Sequence, residues 1–125
     1  MSKRVLVVED QEDNRQILRD LLASVGYEMI EAHDGEGALV AARTQSPDLI
    51  LMDIQLPILD GYEATRRIKA QSDLRHIPII VVTSYALGGD EEKARAAGCD
   101  AYVAKPYSAR KLLETINRYL TCPLG

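Results

Sequence analysis

Short apolar runs alternate along the chain with segments of helical periodicity, and this alternation predicts the fold. Runs of four apolar residues lie at 5–8, 49–52, 79–82 and 101–104. Near-continuous runs of this length are typical of strands that a parallel sheet buries on both faces. The predicted strands cover 4–9, 27–32, 48–53, 78–83 and 100–104.

Each predicted strand is followed by a segment that we predict to be helical. The predicted helices cover 13–25, 36–45, 62–70, 90–97 and Ser108 to about residue 120. In the first helix, the residues expected on the buried face are Ile17, Leu18, Leu21, Leu22 and Val25. Crossovers between parallel strands are right-handed, so five such units most economically form a doubly wound sheet. The predicted class is α/β, a flavodoxin-like (βα)5 fold with five parallel strands in the order 2-1-3-4-5.

Composition bounds the number of domains and the class of partner. The chain has 125 residues, 46% of them hydrophobic, which suits one domain over 1–125 with a core over 3–120 and a short tail over 121–125. The net charge of -4 comes without a basic cluster, so we expect no direct nucleic-acid partner. No apolar run has the length of a membrane-spanning helix and no secretory segment precedes the first strand, so we expect a cytoplasmic protein with no membrane partner.

Three acidic residues stand where predicted strands end. Glu9 and Asp10 follow the first strand and Asp53 ends the third, and these two strands flank the point where strand order reverses. At a separation of about 5 Å, each pair of carboxylates would repel by about 3 kcal/mol at an effective dielectric of about 20, so the cluster needs a cation or a bound proton. Oxygen ligands without histidine or cysteine favour Mg²⁺, with Mn²⁺ as an alternative. Helix capping and strand ends would explain any one of these residues but account poorly for all three.

Asp53 is the candidate nucleophile of this cluster. The loop that follows it is stiffened by Pro57, and attack of a rigid carboxylate on phosphorus would give an aspartyl phosphate. Catalysis of such a step is mostly positioning and neutralisation of charge on the phosphoryl oxygens. Lys105 offers a positive charge and Thr83 a hydroxyl donor, each at the end of another strand. Taken singly, Lys105 is equally a solvated lysine and Thr83 an ordinary strand residue.

The combined pattern resembles the receiver domain of bacterial two-component response regulators over residues 3–120. The matching residues are Glu9-Asp10, Asp53, Asp60-Gly61, Thr83 and Lys105-Pro106. The resemblance implies that Asp53 is the phosphoacceptor. The Mg²⁺ ligands that it implies are Glu9, Asp10, Asp53 and the backbone carbonyl of Gln55.

The resemblance also implies a conformational switch. The residues that it assigns to phosphoryl binding and switching are Thr83, Ser84, Lys105 and Tyr102. The Thr83 hydroxyl would move to a phosphoryl oxygen, and the Tyr102 ring would turn into the space that it leaves. Tyr102 by itself is more simply a half-buried strand tyrosine. A cis peptide is implied before Pro106, although only about 5 to 6% of X-Pro bonds in folded proteins are cis.

Partners follow from the same resemblance. The phosphoryl donor would be a sensor histidine kinase or a histidine phosphotransfer protein, and the output would be contact with a downstream protein effector. The expected docking residues are Gln11, Asn14, Ile17, Pro106 and Tyr107. Gln55 and Tyr85 border the route of the attacking water and are expected to modulate the lifetime of the phosphate. Because the chain ends just after its fifth helix, we expect a single-domain regulator, closer to the cell-cycle type than to the chemotaxis type, and not a turnover enzyme.

Three rival functions use related chemistry or the same fold. A haloacid-dehalogenase-type phosphatase also has an aspartate nucleophile and Mg²⁺, but it needs an acid where this chain has Gln55. A flavin-binding module would prefer helix N-termini and hydroxyl-rich loops to acidic strand ends. A receiver-like domain that no longer takes phosphate is disfavoured by the intact set of Asp53, Thr83 and Lys105. Cys99 and Cys122 are expected to stay reduced, and His33 and His76 to be surface or loop residues.

Overall fold

Five strands and five helices alternate within the residues that the computed structural model describes, which are 3–54, 60–83, 90–104 and 108–120. The strands are β1 (Arg4–Val8), β2 (Glu28–Ala32), β3 (Leu49–Asp53), β4 (Ile79–Thr83) and β5 (Ala101–Ala104). The helices are α1 (Glu12–Ser24), α2 (Gly35–Gln45), α3 (Gly61–Ala70), α4 (Asp90–Ala97) and α5 (Ala109–Leu120). Every predicted element is present, and each of its ends lies within one residue of the prediction.

The strands form one parallel sheet in the order β2-β1-β3-β4-β5, which confirms the predicted fold class. β1 lies between β2 and β3, with Val8 opposite Ala32 on one side and Met52 on the other. β3 pairs with β4 on its other side, and there Asp53 lies opposite Val82. The strand order therefore reverses between β1 and β3, and both of these strands end at the same edge of the sheet.

The core lies on both faces of the sheet, as the continuous apolar strands predict. Val5 and Val7 of β1 pack towards α1 and α5, in a cluster that includes Leu22 and Ile116. The alternate residues of β1 pack in a second cluster with α2 and α3. All five residues of β3 are buried, so neither face of this strand meets solvent. Burial of both faces gives the strand ends a rigid base on which a site can be built.

Helix ends follow the sequence signals. Gly26 and Gly98, just after α1 and α4, have positive φ angles of 84° and 108°, the left-handed conformation that glycine adopts without strain. Asp34 caps α2, since its side chain accepts a hydrogen bond from the Gly37 N–H at 2.7 Å. These signals are local, which is why the helix bounds could be predicted well.

The predicted buried face of α1 is wrong at two residues. Ile17 is 61% exposed and Val25 43% exposed, whereas Leu18 and Leu22 are buried. Val25 lies beyond the last helical residue, and Ile17 lies about 100° around the helix axis from Leu18. The third buried position of α1 belongs to Arg15, at the spacing 15, 18 and 22.

The surroundings of the cysteines, the histidines and Tyr102 can be compared with those expected from the sequence. Cys99 is a buried thiol, and Cys122 lies outside the described residues. His33 and His76 are exposed, and Tyr102 is half-buried, each as predicted. Within the part of the chain that the structure describes, no helix has the length and apolar character needed to cross a membrane.

Candidate functional site

Three carboxylates converge at the carboxyl ends of β1 and β3. Oxygen atoms of Glu9, Asp10 and Asp53 all lie within 4.8 Å of one another, which confirms the predicted cluster as geometry. Glu9 is only 4% exposed and Asp53 only 7%, while Asp10 is exposed. The cluster therefore has a buried side, formed by two carboxylates, and an open side at Asp10.

The backbone around the cluster is held by hydrogen bonds from neighbouring strands. The Glu9 N–H donates to the Ala32 carbonyl at 3.1 Å, and the Ile54 N–H donates to the Val82 carbonyl at 3.3 Å. A side-chain oxygen of Glu9 also accepts a hydrogen bond from the Gln11 N–H at 3.2 Å. The two buried carboxylates are thus attached to backbone that the sheet fixes on either side.

The start of α3 packs directly on the end of β3. Asp60 caps this helix by accepting a hydrogen bond from the Glu63 N–H at 2.9 Å. The Gly61 N–H donates to the Ile54 carbonyl at 3.1 Å. A Cβ atom at Gly61 would lie 2.2 Å from the Asp53 carbonyl oxygen, a distance that no side chain tolerates. The Asp60-Gly61 pair therefore has a physical role: it caps α3 and allows the helix to approach the backbone of the candidate nucleophile.

The cluster suits a small divalent cation. At 4.8 Å, two carboxylates repel by about 3 kcal/mol at an effective dielectric of about 20, and a cation among them reverses the sign of the interaction. The donors are carboxylate oxygens, which are hard ligands of the kind that Mg²⁺ and Mn²⁺ prefer. The walls behind the cluster are apolar, with Val7, Leu18 and Leu51 beside Glu9 and Asp53, so the open side is where an ion with bound water would fit.

A buried arginine that the sequence analysis did not identify also touches this site. Arg15 is 8% exposed, and its Nη1 donates to the main-chain carbonyl of Glu9 at 2.8 Å. Its Nη2 donates to a carboxylate oxygen of Glu12 at 3.0 Å, and its Nε lies 3.3 Å from a carboxylate oxygen of Glu31. The signal in the sequence is the spacing of Arg15 from Leu18 and Leu22, which places it on the buried face of α1.

The structure locates two of the predicted switch residues, Thr83 and Tyr102. Thr83 ends β4 opposite Ala104 of β5, at the same edge of the sheet as the acidic cluster, although the structure does not describe its side chain. Tyr102 lies in β5 opposite Val81 and packs against the core cluster on the α2 and α3 face. The remaining predictions lie outside the described residues, namely those for Gln55, Ser84, Tyr85, Lys105, Pro106 and Tyr107.

The predicted docking residues of α1 lie next to the cluster in the chain. Gln11 is the N-cap of α1 and is exposed, Asn14 is half-buried, and Ile17 is exposed. Ile17 was predicted to be buried, but its apolar side chain lies in solvent, where a partner can reach it. Docking itself stays a prediction for all three residues.

Comparisons with known proteins agree on one family. Residues 5–117 match the sequence profile described as the response regulator receiver domain. The polar-differentiation response regulators DivK of Brucella ovis and Brucella suis are each 51% identical to this chain over 120 residues, covering 96% of it and 98% of their own length.

Solved structures with the same fold include two informative neighbours. The receiver domain of the sensor histidine kinase PA1611 from Pseudomonas aeruginosa PAO1, whose crystal structure has a magnesium ion in the active site cleft, is 40% identical with a TM-score of 0.90. That alignment covers 97% of this chain and 99% of the neighbour. The chemotaxis protein CheY4 of Vibrio cholerae is 29% identical with a TM-score of 0.88, over 95% of this chain and 99% of its own.

Proposed function

The chain belongs to the family of response regulator receiver domains of two-component systems, and we propose that it accepts a phosphoryl group on Asp53 from a phosphohistidine donor. The observation that carries this proposal is the convergence of Glu9, Asp10 and Asp53 within 4.8 Å. Phosphorylation would then change the contacts that the protein makes with a downstream effector. In this account the protein is a signalling switch and not a turnover enzyme.

Transfer to Asp53 is a substitution at phosphorus. A carboxylate oxygen of Asp53 forms the new P–O bond as the P–N bond to the donor histidine breaks, and the departing imidazole keeps the electron pair of that bond. Asp53 is well placed for this because it is 7% exposed and ends a strand that is buried throughout. A nucleophile held by rigid backbone loses little freedom in the transition state.

The carboxylates would hold Mg²⁺, with Mn²⁺ as an alternative. The proposed ligands are Glu9, Asp10, Asp53 and the backbone carbonyl of Gln55. When bound, the ion would neutralise negative charge on the carboxylates and on the phosphoryl oxygens. Asp10 is exposed, so it offers a ligand on the side from which a hydrated ion enters. A magnesium ion in the active site cleft of the PA1611 receiver domain supports this assignment.

The switch would read the change in charge at Asp53. Phosphorylation replaces one negative charge with about two and adds acceptor oxygens. We assign contact with the phosphoryl group to Thr83, Ser84 and Lys105, and the resulting rearrangement to Tyr102. Moving a population from 1:99 to 99:1 requires about 5.5 kcal/mol of differential stabilisation, which charge-assisted hydrogen bonds at a partly buried site can supply together.

The partners would approach the edge of the sheet that carries the cluster. A sensor histidine kinase or histidine phosphotransfer protein would dock on Gln11, Asn14 and Ile17 of α1, together with Pro106 and Tyr107. The 61% exposure of Ile17 supports this surface, because an exposed apolar side chain on the helix that follows Glu9 and Asp10 is suited to protein contact.

The output class and the lifetime of the phosphate complete the proposal. Identity of 51% to the DivK regulators, against 29% to CheY4, supports a cell-cycle or polarity role over a chemotaxis role. Gln55 and Tyr85 would border the route of water to the phosphoryl group and so modulate its lifetime.

The proposal is tested with a small phosphodonor. Wild type and Asp53→Asn are incubated with acetyl phosphate, with and without Mg²⁺, and their intact masses are measured. We expect a labile phosphoryl adduct in wild type that requires Mg²⁺ and is absent from Asp53→Asn. An adduct of equal yield in the variant would contradict the assignment of Asp53. No adduct from acetyl phosphate or from a phosphorylated histidine kinase would instead indicate an interaction domain that does not take phosphate.

A further inference from the structure

Arg15 is unusual among the described residues of α1 because it carries a charge into the buried face of the helix. Its side chain is only 9% exposed, so the guanidinium is desolvated and must be compensated by bonded partners. The guanidinium donates hydrogen bonds to the carbonyl of Glu9 after β1 and to the side chain of Glu12 in α1, and it forms an ion pair with the side chain of Glu31 in β2. One side chain therefore joins three elements next to the acidic cluster.

The contact with Glu9 matters most for the site. The carbonyl of Glu9 lies in the peptide plane that joins Glu9 to Asp10, and the atoms of a peptide unit move together. The Glu9 N–H, in the preceding peptide plane, is bonded to the Ala32 carbonyl at 3.1 Å. Both peptide planes of Glu9 are thus fixed, one by β2 and one by the Arg15 guanidinium at 2.8 Å.

The relative direction of two carboxylates depends on that second peptide plane. The two Cα–Cβ bonds turn relative to each other when ψ of Glu9 and φ of Asp10 change by amounts that do not cancel, and a plane held at its carbonyl restrains both torsions. The backbone hydrogen bonds of α1 do not extend to this plane, because the helix begins at Glu12 with Gln11 as its N-cap. We infer that Arg15 is a positioning residue of the cation site: by binding the Glu9 carbonyl, it orients Glu9 and Asp10 towards a shared divalent cation.

The charge of Arg15 acts in the opposite direction to this positioning. A positive guanidinium close to the cluster repels an incoming cation, so its removal by itself would tighten the binding of a divalent ion. Loss of positioning would weaken the binding instead, because partners that orient metal ligands typically change affinity by 10-fold to about 100-fold. The sign of the change therefore separates the two effects.

Arg19 provides a matched control. It lies on the same helix one turn later, and it contacts Glu31 at 2.7 Å and Glu12 at 3.9 Å, so it shares both carboxylate partners of Arg15. Its described hydrogen bonds go to Gln16 and Glu31. Replacing Arg19 by methionine removes the same charge from the same network and leaves the bond to the Glu9 carbonyl in place.

The inference rests on the proposed cation site, and the experiment separates the two. Mn²⁺ is titrated into wild type, Arg15→Met, Arg15→Lys and Arg19→Met, and free Mn²⁺ is measured by electron paramagnetic resonance. We expect the dissociation constant to rise about tenfold in Arg15→Met. It should rise less in Arg15→Lys, which keeps a donor, and stay within about twofold or fall in Arg19→Met because that variant loses only charge.

Two checks exclude a loss of folding as the cause. Circular dichroism and urea denaturation report the folded fraction of each variant, and Arg15→Lys carries the test if Arg15→Met does not fold. The amide resonance of Asp10, which belongs to the peptide that Arg15 binds, should shift in metal-free Arg15→Lys and not in Arg19→Met. Equal or tighter Mn²⁺ binding in folded Arg15 variants would overturn the inference. Absence of Mn²⁺ binding in wild type would overturn the cation site itself.

Discussion

At the scale of single residues, the site is defined by carboxylates that lie closer together than their charges favour. Glu9 and Asp53 are buried, and Asp10 completes the group from the solvent side. Such an arrangement is stable only because the rest of the fold supplies a surplus of free energy, and it gives a bound cation a large effect. The stability of the protein and the occupancy of the site should therefore depend on each other.

Replacing Asp10 with asparagine should have effects of opposite sign with and without Mg²⁺. In metal-free buffer the variant should be more stable than wild type by about 1 kcal/mol, since one repulsive charge is gone and solvent screens the remainder. At a Mg²⁺ concentration about 100 times the dissociation constant, wild type should gain about 2.7 kcal/mol and become the more stable protein.

Urea denaturation in EDTA and in Mg²⁺ measures this reversal. Asp13→Asn is the control, because Asp13 lies in the first turn of α1 outside the acidic cluster, and its effect should not depend on Mg²⁺. The same order of stabilities for wild type and Asp10→Asn in both buffers would show that Asp10 is not a ligand.

The cluster could be predicted from the sequence. For Arg15, which supports it, the spacing from Leu18 and Leu22 indicates burial, but the bond to the Glu9 carbonyl could be learned only from the structure. Glu9, Asp10 and Asp53 follow apolar strands whose ends must share an edge in a parallel sheet, so periodicity alone brings them together. Arg15 occupies a buried position of α1. An apolar pattern predicts only aliphatic residues on the buried face of this helix, and it assigned Ile17 to that face. A charged group enters a core only with specific partners, and those partners lie in other elements.

At the scale of elements, the approach of α3 to β3 determines how Asp53 is presented. The Gly61 N–H binds the Ile54 carbonyl, and no room exists for a side chain at Gly61 against the carbonyl of Asp53. The helix predicted over 62–70 begins directly after the Asp60-Gly61 pair. The close approach at Gly61 depends on the packing of α3 against the sheet, so it could be learned only from the structure.

Replacing Gly61 with alanine should destabilise the protein by about 1 to 3 kcal/mol, the usual cost of forcing an extra group into packed structure. The new Cβ would push either α3 or the peptide after Asp53 away, so the yield of phosphoryl adduct should also fall. Urea denaturation and intact mass measure the two effects.

A second glycine in the first turn of a capped helix serves as the control. At Gly37 in α2, a Cβ would lie 3.2 Å from a side-chain oxygen of Asp34, a tight contact that a small shift of that side chain relieves, so Gly37→Ala should change stability by no more than about 1 kcal/mol. Equal effects of the two substitutions would contradict a special role for the close approach of Gly61 to the Asp53 carbonyl.

At the scale of the whole molecule, two core layers hold the sheet, and ion pairs on the surface join its elements. Arg19 of α1 donates a hydrogen bond to Glu31 of β2, and this bond lowers the pKa of Glu31 below its ordinary value of 4.5. A carboxylate whose pKa is lower in the folded state stabilises the fold fully at pH values above its ordinary pKa. That contribution is lost as the pH falls through the lowered pKa.

Replacing Glu31 with glutamine should therefore destabilise the protein at neutral pH and matter progressively less below pH 4.5. The measurement is urea denaturation of wild type and Glu31→Gln across this range of pH. The same substitution made in an Arg19→Met background should show a smaller dependence on pH, because the largest cause of the lowered pKa is absent. A stability difference that is constant with pH would contradict this account.

We propose that Asp53 itself carries the phosphoryl group, and reductive trapping identifies the residue that does. The protein is phosphorylated in the presence of Mg²⁺ and treated with borohydride, which reduces an aspartyl phosphate to the alcohol homoserine, and the modified peptide is sequenced by mass spectrometry. The account predicts homoserine at position 53 and unmodified Glu9 and Asp10. Homoserine at another aspartate, or reduction products spread over the acidic cluster, would contradict it.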